Sequence, residues 1–176
     1  MKKIAIMLLA LSTLTGAVGC AGSSEPGEID VWSTYNTVKV LQSGGEYERQ
    51  PGALRVFMAK GETEGAQIIL TPEKKVKSFE LKKADLVNAN GDILSADKAE
   101  VYMQKYIHID QKTSNQDNQA YPEDSDIPDM LLYMDTAKEY GENTISAGDN
   151  QGITVEYTTT AETPAGTYTG IYTLVA

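Results

Sequence analysis

Histidine, cysteine and tryptophan each occur once in this chain, and phenylalanine only twice. A single cysteine forms no internal disulfide. The lone His108, in "YIHID", has no second histidine, and with the single cysteine placed at residue 20, beside the N-terminal leader, there is no Cys–His pairing to read as a zinc site or a nucleophile pair. It reads as a strand residue bonded to a neighbour. Basic residues are scarce: 15 Lys and Arg stand against 25 Asp and Glu, for a net charge of −10. That balance repels phosphate backbones and argues against nucleic acid as a partner. It also leaves no polybasic patch for a membrane surface. No apolar run reaches the roughly 18 residues of a membrane-spanning helix. Gly-rich phosphate cradles, nucleophile elbows and zinc motifs are lacking as well, so no cofactor is expected.

What is there begins at the N-terminus. Lys2 and Lys3 precede "IAIMLLAL" at residues 4–11, and "STLTGAVGC" brings small residues up to Cys20. This is the layout of a secretory signal. Ala17-Val18-Gly19-Cys20 resembles a bacterial lipobox, which implies cutting before Cys20 and placing a lipid on its sulfur. Ala17-x-Gly19 also suits an ordinary signal peptidase. A lone cysteine in an exported chain calls for a role, and lipidation supplies one. The small, polar "AGSSEPGE" that follows suits a tether. The expected organisation is a signal at 1–19, a flexible tether at 20–28 and one domain at 29–176. The expected location is a bacterial cell surface or periplasm, with the membrane reached through the lipid on Cys20. Losing Lys2 and Lys3 with the signal makes the rest more acidic by two charges.

After the tether, short strand patterns follow one another. "IDVWSTYNTVKVL" (29–41) is rich in β-branched and aromatic residues, and "GGEYERQPG" (44–52) is a loop. "ALRVFMAK" (53–60) puts Leu54, Val56 and Met58 on one face, Gly61 breaks it, and "EGAQIILT" (64–71) resumes. "VKSFELKKADLVN" (76–88) changes register, which predicts a bulge or bend, and "ANGD" is a turn. "KAEVYMQKYIHID" (98–110) sets Val101, Met103 and Lys105 against Tyr102, Gln104 and Tyr106. A long polar stretch, 111–125, carries nothing that builds a core. Pro128 argues against a central strand in "DIPDMLLYMD", and "TAKEYGEN" suits one helical turn. "GITVEYTTTAE" and "GTYTGIYTLVA" are strands joined by "TPAG". The sum is an all-β fold: an antiparallel β-sandwich, immunoglobulin- or jelly-roll-like, of about seven or eight strands. A closed barrel is the alternative. The ten tyrosines fit strands, each with a broad apolar face and a polar tip.

Candidate chemistry is thin. Glu62 and Glu64 stand two apart, as residues sharing a strand face do, but no apolar pocket is evident to raise one carboxyl for acid catalysis. They read as a solvated strand start bonded to nearby backbone. Asp117, Glu123, Asp124, Asp126 and Asp129 supply oxygens for calcium, but their spacing does not follow the EF-hand pattern, and a solvated loop is the simpler reading. Aromatic faces stack on sugar rings, which makes Trp32, Tyr35, Tyr102 and Tyr106 candidate sugar contacts; the alternative is that they fill the core.

Four stretches, in order, carry a resemblance: "AKGETEGAQIIL", "DIPDMLLYM", "NQGITVEYTT" and "TPAGTYTGIYTL". The matching residues are Gly61, Glu62 and Gln67; Pro128, Asp129 and Leu131; Asn150 and Gln151; and Pro164, Ala165, Gly166, Tyr168 and Gly170. Together they resemble the N-terminal β-sandwich domain of glycoside hydrolase family 123, over roughly residues 30–176. The resemblance implies a retaining hexosaminidase that removes N-acetylgalactosamine with help from the substrate's own acetamido group. It places the catalytic acids in a (β/α)₈ barrel that follows the sandwich, so no catalytic residue is expected here. It implies a non-catalytic accessory domain whose partner is the barrel of the same polypeptide. The alternatives are a free-standing carbohydrate-binding lipoprotein, with glycans as partners, and a structural surface lipoprotein. The residues themselves suggest that Gly61 makes a sharp hairpin turn, Gln67 bonds backbone at the core edge, and Asn150 and Gln151 form an Asx-type turn.

Overall fold

The computed structural model describes residues 4–8 in backbone, and residues 28–50, 54–110 and 124–176 in full. Cys20, most of the tether, Asp117 and Glu123 lie outside the described residues. Two five-stranded sheets face each other. The first runs in the order β3 (Leu54–Met58), β1 (Ile4–Leu8), β11 (Thr167–Gly170), β6 (Leu86–Asn88), β7 (Ile93–Leu94). The second runs β2 (Ile29–Thr34), β4 (Thr63–Pro72), β10 (Gln151–Thr158), β8 (Ala99–Ile109), β9 (Ser125–Tyr133). A two-stranded ribbon pairs β12 (Thr173–Val175) with β5 (Glu80–Lys82). All pairings are antiparallel except that of β1 with β11. The fold is the all-β sandwich expected, built from more and shorter strands.

Alternation explains the layers. In β3, Leu54, Val56 and Met58 point inward while Arg55 and Phe57 face out. They meet Ile68, Leu70, Val101, Met103, Ile153 and Val155 of the opposite sheet in one continuous core. Each such buried side chain contributes about 1.5–3 kcal/mol of transfer free energy. Tyr168 and Tyr172 bury themselves from the C-terminal segment, as the alternation in "GTYTGIYTLVA" requires. Tyr168 also donates its hydroxyl to the Pro164 carbonyl at 2.9 Å, pinning the "TPAG" turn.

Several local expectations change. Gly61 (φ 75°) does make the turn before β4, but β3 and β4 belong to different sheets. The turn is a corner across the sandwich, not a hairpin. The "TPAG" turn likewise carries the chain from β10 in the second sheet to β11 in the first. The 76–88 segment divides into β5 and β6 in separate sheets. β2 ends at Thr34, and the chain from Tyr35 onward crosses the outer side of the second sheet, where Val40 and Tyr47 cover Trp32 and Ile69 in a small second core. Pro128 lies on β9, an edge strand, beside a bulge between Lys105 and Tyr106. Tyr133 precedes a short helix, α1 (Met134–Glu139). Among the described residues no helix is long and apolar enough to cross a membrane. The apolar run read as a signal core contributes β1, between β3 and β11.

Candidate binding site on the outer sheet face

Register in the second sheet lines up outward-facing residues in rows. One row is Tyr133, Tyr102, Thr154, Gln67 and Thr34; the next is Leu131, Gln104, Gly152, Ile69 and Trp32. At the Trp32 end the outer face is closed. Trp32 stacks on Tyr47 with centroids 6.0 Å apart, carries Arg49 above its ring and donates Nε1–H to Thr71. At the Tyr133 end it is open. Between them lies a cavity of about 290 Å³.

Its floor is a chain of amides. Gln67 Nε2 donates to the carbonyls of Tyr35 (2.6 Å) and Val38 (2.7 Å). Gln104 Nε2 donates to Gln67 Oε1 (2.9 Å) and Thr154 Oγ1 (3.1 Å). All three side chains are buried, yet Gln104 Oε1 has no hydrogen-bond partner among the described residues. Burying a polar atom unpaired costs about 1–3 kcal/mol; Thr34 Oγ1, in the same row as Gln67, is buried without a partner among those residues as well. Val38, Met130 and Leu131 form apolar walls, and Met130 and Leu131 are exposed. Asp129, paired with Lys39 at 3.1 Å, and Glu156 border the opening. Beside it, Tyr102 and Tyr133 pack at 4.9 Å between centroids. The Tyr102 hydroxyl is pushed up to about 12 by desolvation, then by the Tyr133 hydroxyl and the nearby Glu156 carboxylate.

The candidate aromatics therefore part company. Trp32 is core, and its indole N–H is taken. Tyr106 is half-buried, and its hydroxyl accepts from the Gly152 N–H at 3.2 Å; burial holds it well above the usual phenol range. Tyr35 is exposed, with its carbonyl bound by Gln67. Tyr102 faces the open end. Gln104, Thr154 and Tyr133 were not among the candidate contacts. The signal for Gln104 was its alternation with Tyr102.

Other candidates fall elsewhere. Glu62 accepts from the Ala59 N–H and its backbone bonds Thr159, so it braces the corner turn. Glu64 sits opposite Tyr157 on an exposed position. His108 lies on the exposed end of β8 with each ring nitrogen 3.1 Å from a carboxylate, Asp124 and Asp126. Asn150 makes no Asx turn. Its side chain donates to the Leu41 carbonyl and accepts from Thr71, tying the segment after β2 to the sheet. Gln151 donates to the carbonyls of Gln104 and Gly152. A second cavity, of about 340 Å³, lies between Leu81, Lys83, Tyr133 and Asp135.

The profile of the glycoside hydrolase 123 N-terminal domain matches residues 46–176. The chain belongs to this family. A solved family 123 glycoside hydrolase from Clostridium perfringens, the subject of a study of glycolipid glycan hydrolysis, aligns with it at 17% identity and a TM-score of 0.48. That alignment covers 62% of this chain and only 17% of that enzyme's chain. No curated protein matches. The matched residues of this glycoside hydrolase 123 N-terminal domain take in all of the sandwich strands from β3 onward, together with Gln67, Gln104, Thr154 and Tyr133.

Proposed function

We propose that this chain is the non-catalytic accessory β-sandwich of an exported, lipid-anchored glycoside hydrolase of the family 123 type. Its partner is a catalytic (β/α)₈ barrel of the same polypeptide, and the reaction is removal of N-acetylgalactosamine from glycans. The single observation that carries the reading is the family match over residues 46–176. The outer-face cavity supports the non-catalytic part, because its buried floor of amides and a hydroxyl suits binding more than proton transfer. Export and anchoring are supported by the N-terminal layout and by the lone Cys20 after Ala17-Val18-Gly19. On this reading β1 leaves with the signal. β3 runs antiparallel and β11 parallel to β1, so β3 and β11 oppose each other and are oriented to pair directly once β1 is gone.

The test is to assay release of N-acetylgalactosamine by this chain and by the full gene product that encodes it. Activity confined to a longer product with a barrel supports the reading. Activity in this chain alone, or a gene product with no barrel, overturns it. In the second case the free-standing carbohydrate-binding reading, favoured by the outer-face cavity, takes its place.

A further inference from the structure

We infer that the outer face of the first sheet is the surface on which the catalytic barrel of the same polypeptide docks. The inference rests on the accessory-domain reading and adds to it the face that meets the partner. The residues that alternate outward on that sheet are Arg55 and Phe57 on β3, Thr167 and Thr169 on β11, Val87 on β6 and Ile93 on β7. Register sets Thr169 beside Val87, and Val87 beside Ile93. The outward alternation continues from Thr169 through Ile171 and Thr173 to Val175. Its apolar members lie open: Phe57 is 64% exposed, Ile93 61% and Ile171 50%. The outer face of an antiparallel sheet is polar when water is its permanent neighbour. This one carries large apolar side chains that gain free energy on being covered.

Charge sharpens the choice. The chain holds 25 Asp and Glu, yet no carboxylate stands among the outward positions of β3, β11, β6 and β7, where Arg55 is the one charge. A partner covering these strands therefore buries no unpaired acid, which is the costly event at an interface. Glu80, opposite Val175 on the ribbon, is already held by Lys138 at 2.9 Å. The outer face of the second sheet differs. The segment after β2 crosses it and buries Trp32 and Ile69, and its open end is bordered by Asp129 and Glu156. The course of the chain points the same way. From β11 through β12 it runs beneath Ile171 to Val175, which is itself exposed. A domain continuing from there starts beside the first sheet, whereas the outer face of the second lies across the sandwich. The matching surface of the barrel is apolar, with an acceptor placed for Arg55, the mixed character of interfaces between domains of one chain.

The experiment is hydroxyl-radical footprinting of this chain and of the full gene product, read residue by residue by mass spectrometry. Labelling of Phe57 and Ile93 should fall severalfold in the longer product, while Met130 and Leu131 on the second sheet label alike in both. Val87→Glu combined with Ile93→Glu supplies the second readout. Both residues are exposed, so the pair should leave the melting of this chain unchanged. In the full product it should return Phe57 to the labelling seen in this chain alone, because two carboxylates then oppose the docking. Equal labelling of Phe57 and Ile93 in the two products overturns the inference, as does protection of Met130 and Leu131 in their place or continued protection of Phe57 in the double variant. Protection of Phe57 that grows with concentration in this chain alone gives the face to a second copy and overturns it too. A gene product without a barrel overturns the accessory-domain reading and this inference together, whereas equal labelling in a product that has the barrel overturns only the choice of face.

Discussion

The side-chain amide of Gln104 lies on the bare Cα of Gly152: a methyl group added there would stand 2.0 Å from Gln104 Oε1. The two residues face each other across the β8–β10 pair, and the absent side chain of one makes the space that the other fills. The amide floor of the cavity exists because of that exchange.

Gly152→Ala should therefore displace Gln104 and break its bonds to Gln67 and Thr154. The expected loss is about 1–3 kcal/mol in urea unfolding, the range for stranded buried polar groups. Adding Gln104→Ala should cost less than the sum of the two single changes. Strict additivity would disprove the coupling.

Asn150→Ala should release the segment that covers Trp32. Its side chain joins the Leu41 carbonyl to Thr71 from a buried position. A loss of about 1–3 kcal/mol is expected, together with faster proteolysis within residues 35–50. Unchanged cleavage there would mean that Tyr47, through its bond to the Leu41 N–H and its packing, holds the segment alone.

Alkaline titration should divide the ten tyrosines. Desolvation raises Tyr102, Tyr106, Tyr157, Tyr168 and Tyr172 above the ordinary value of 10, Tyr102 to about 12. The folded state then keeps protons that the unfolded chain releases. Stability is full below pH 10 and falls as pH rises toward the folded values, for Tyr102 between 10 and about 12. Phenolate absorbance should show these tyrosines lagging in the folded protein and all ten ionising together in denaturant. Joint ionisation in the folded protein would contradict the burial.

The export reading predicts that a chain beginning at Cys20 folds without β1. Circular dichroism should keep its β signature, and amides of β3 and β11 should become protected from exchange as the two strands pair. Loss of cooperative melting on removing residues 1–19 would instead make β1 a permanent strand. In cells, Cys20→Ser should abolish incorporation of a lipid label.

Much of the architecture could be read along the chain. Alternation in 53–60, 98–110 and 152–158 marks β3, β8 and β10, because a strand buried on one face must repeat every second residue. Pro128 marks an edge because it has no N–H to give to an inner ladder. The four ordered stretches carry the family, and composition sets the acidic, disulfide-free character. Sheet membership was not readable. The turn at Gly61 reads as a hairpin and "TPAG" as a link between two strands, but each crosses the sandwich, since a turn's residues set its local angles and not which sheet receives the next strand. Trp32 as core rather than sugar platform was likewise decided by Val40 and Tyr47 folding over it.

The cavity belongs wholly to the tertiary structure. Gln67, Gln104 and Thr154 are each sensible strand residues in isolation, and their polarity alone would place them in solvent. Register across β4, β10 and β8 sets them side by side, the segment after β2 covers them, and Gly152 leaves the room. The sequence by itself determined which faces of the strands are apolar, because that follows from side-chain chemistry at period two. Only the tertiary structure decided which polar residues meet and lose their water, because that depends on pairings between positions far apart in the chain.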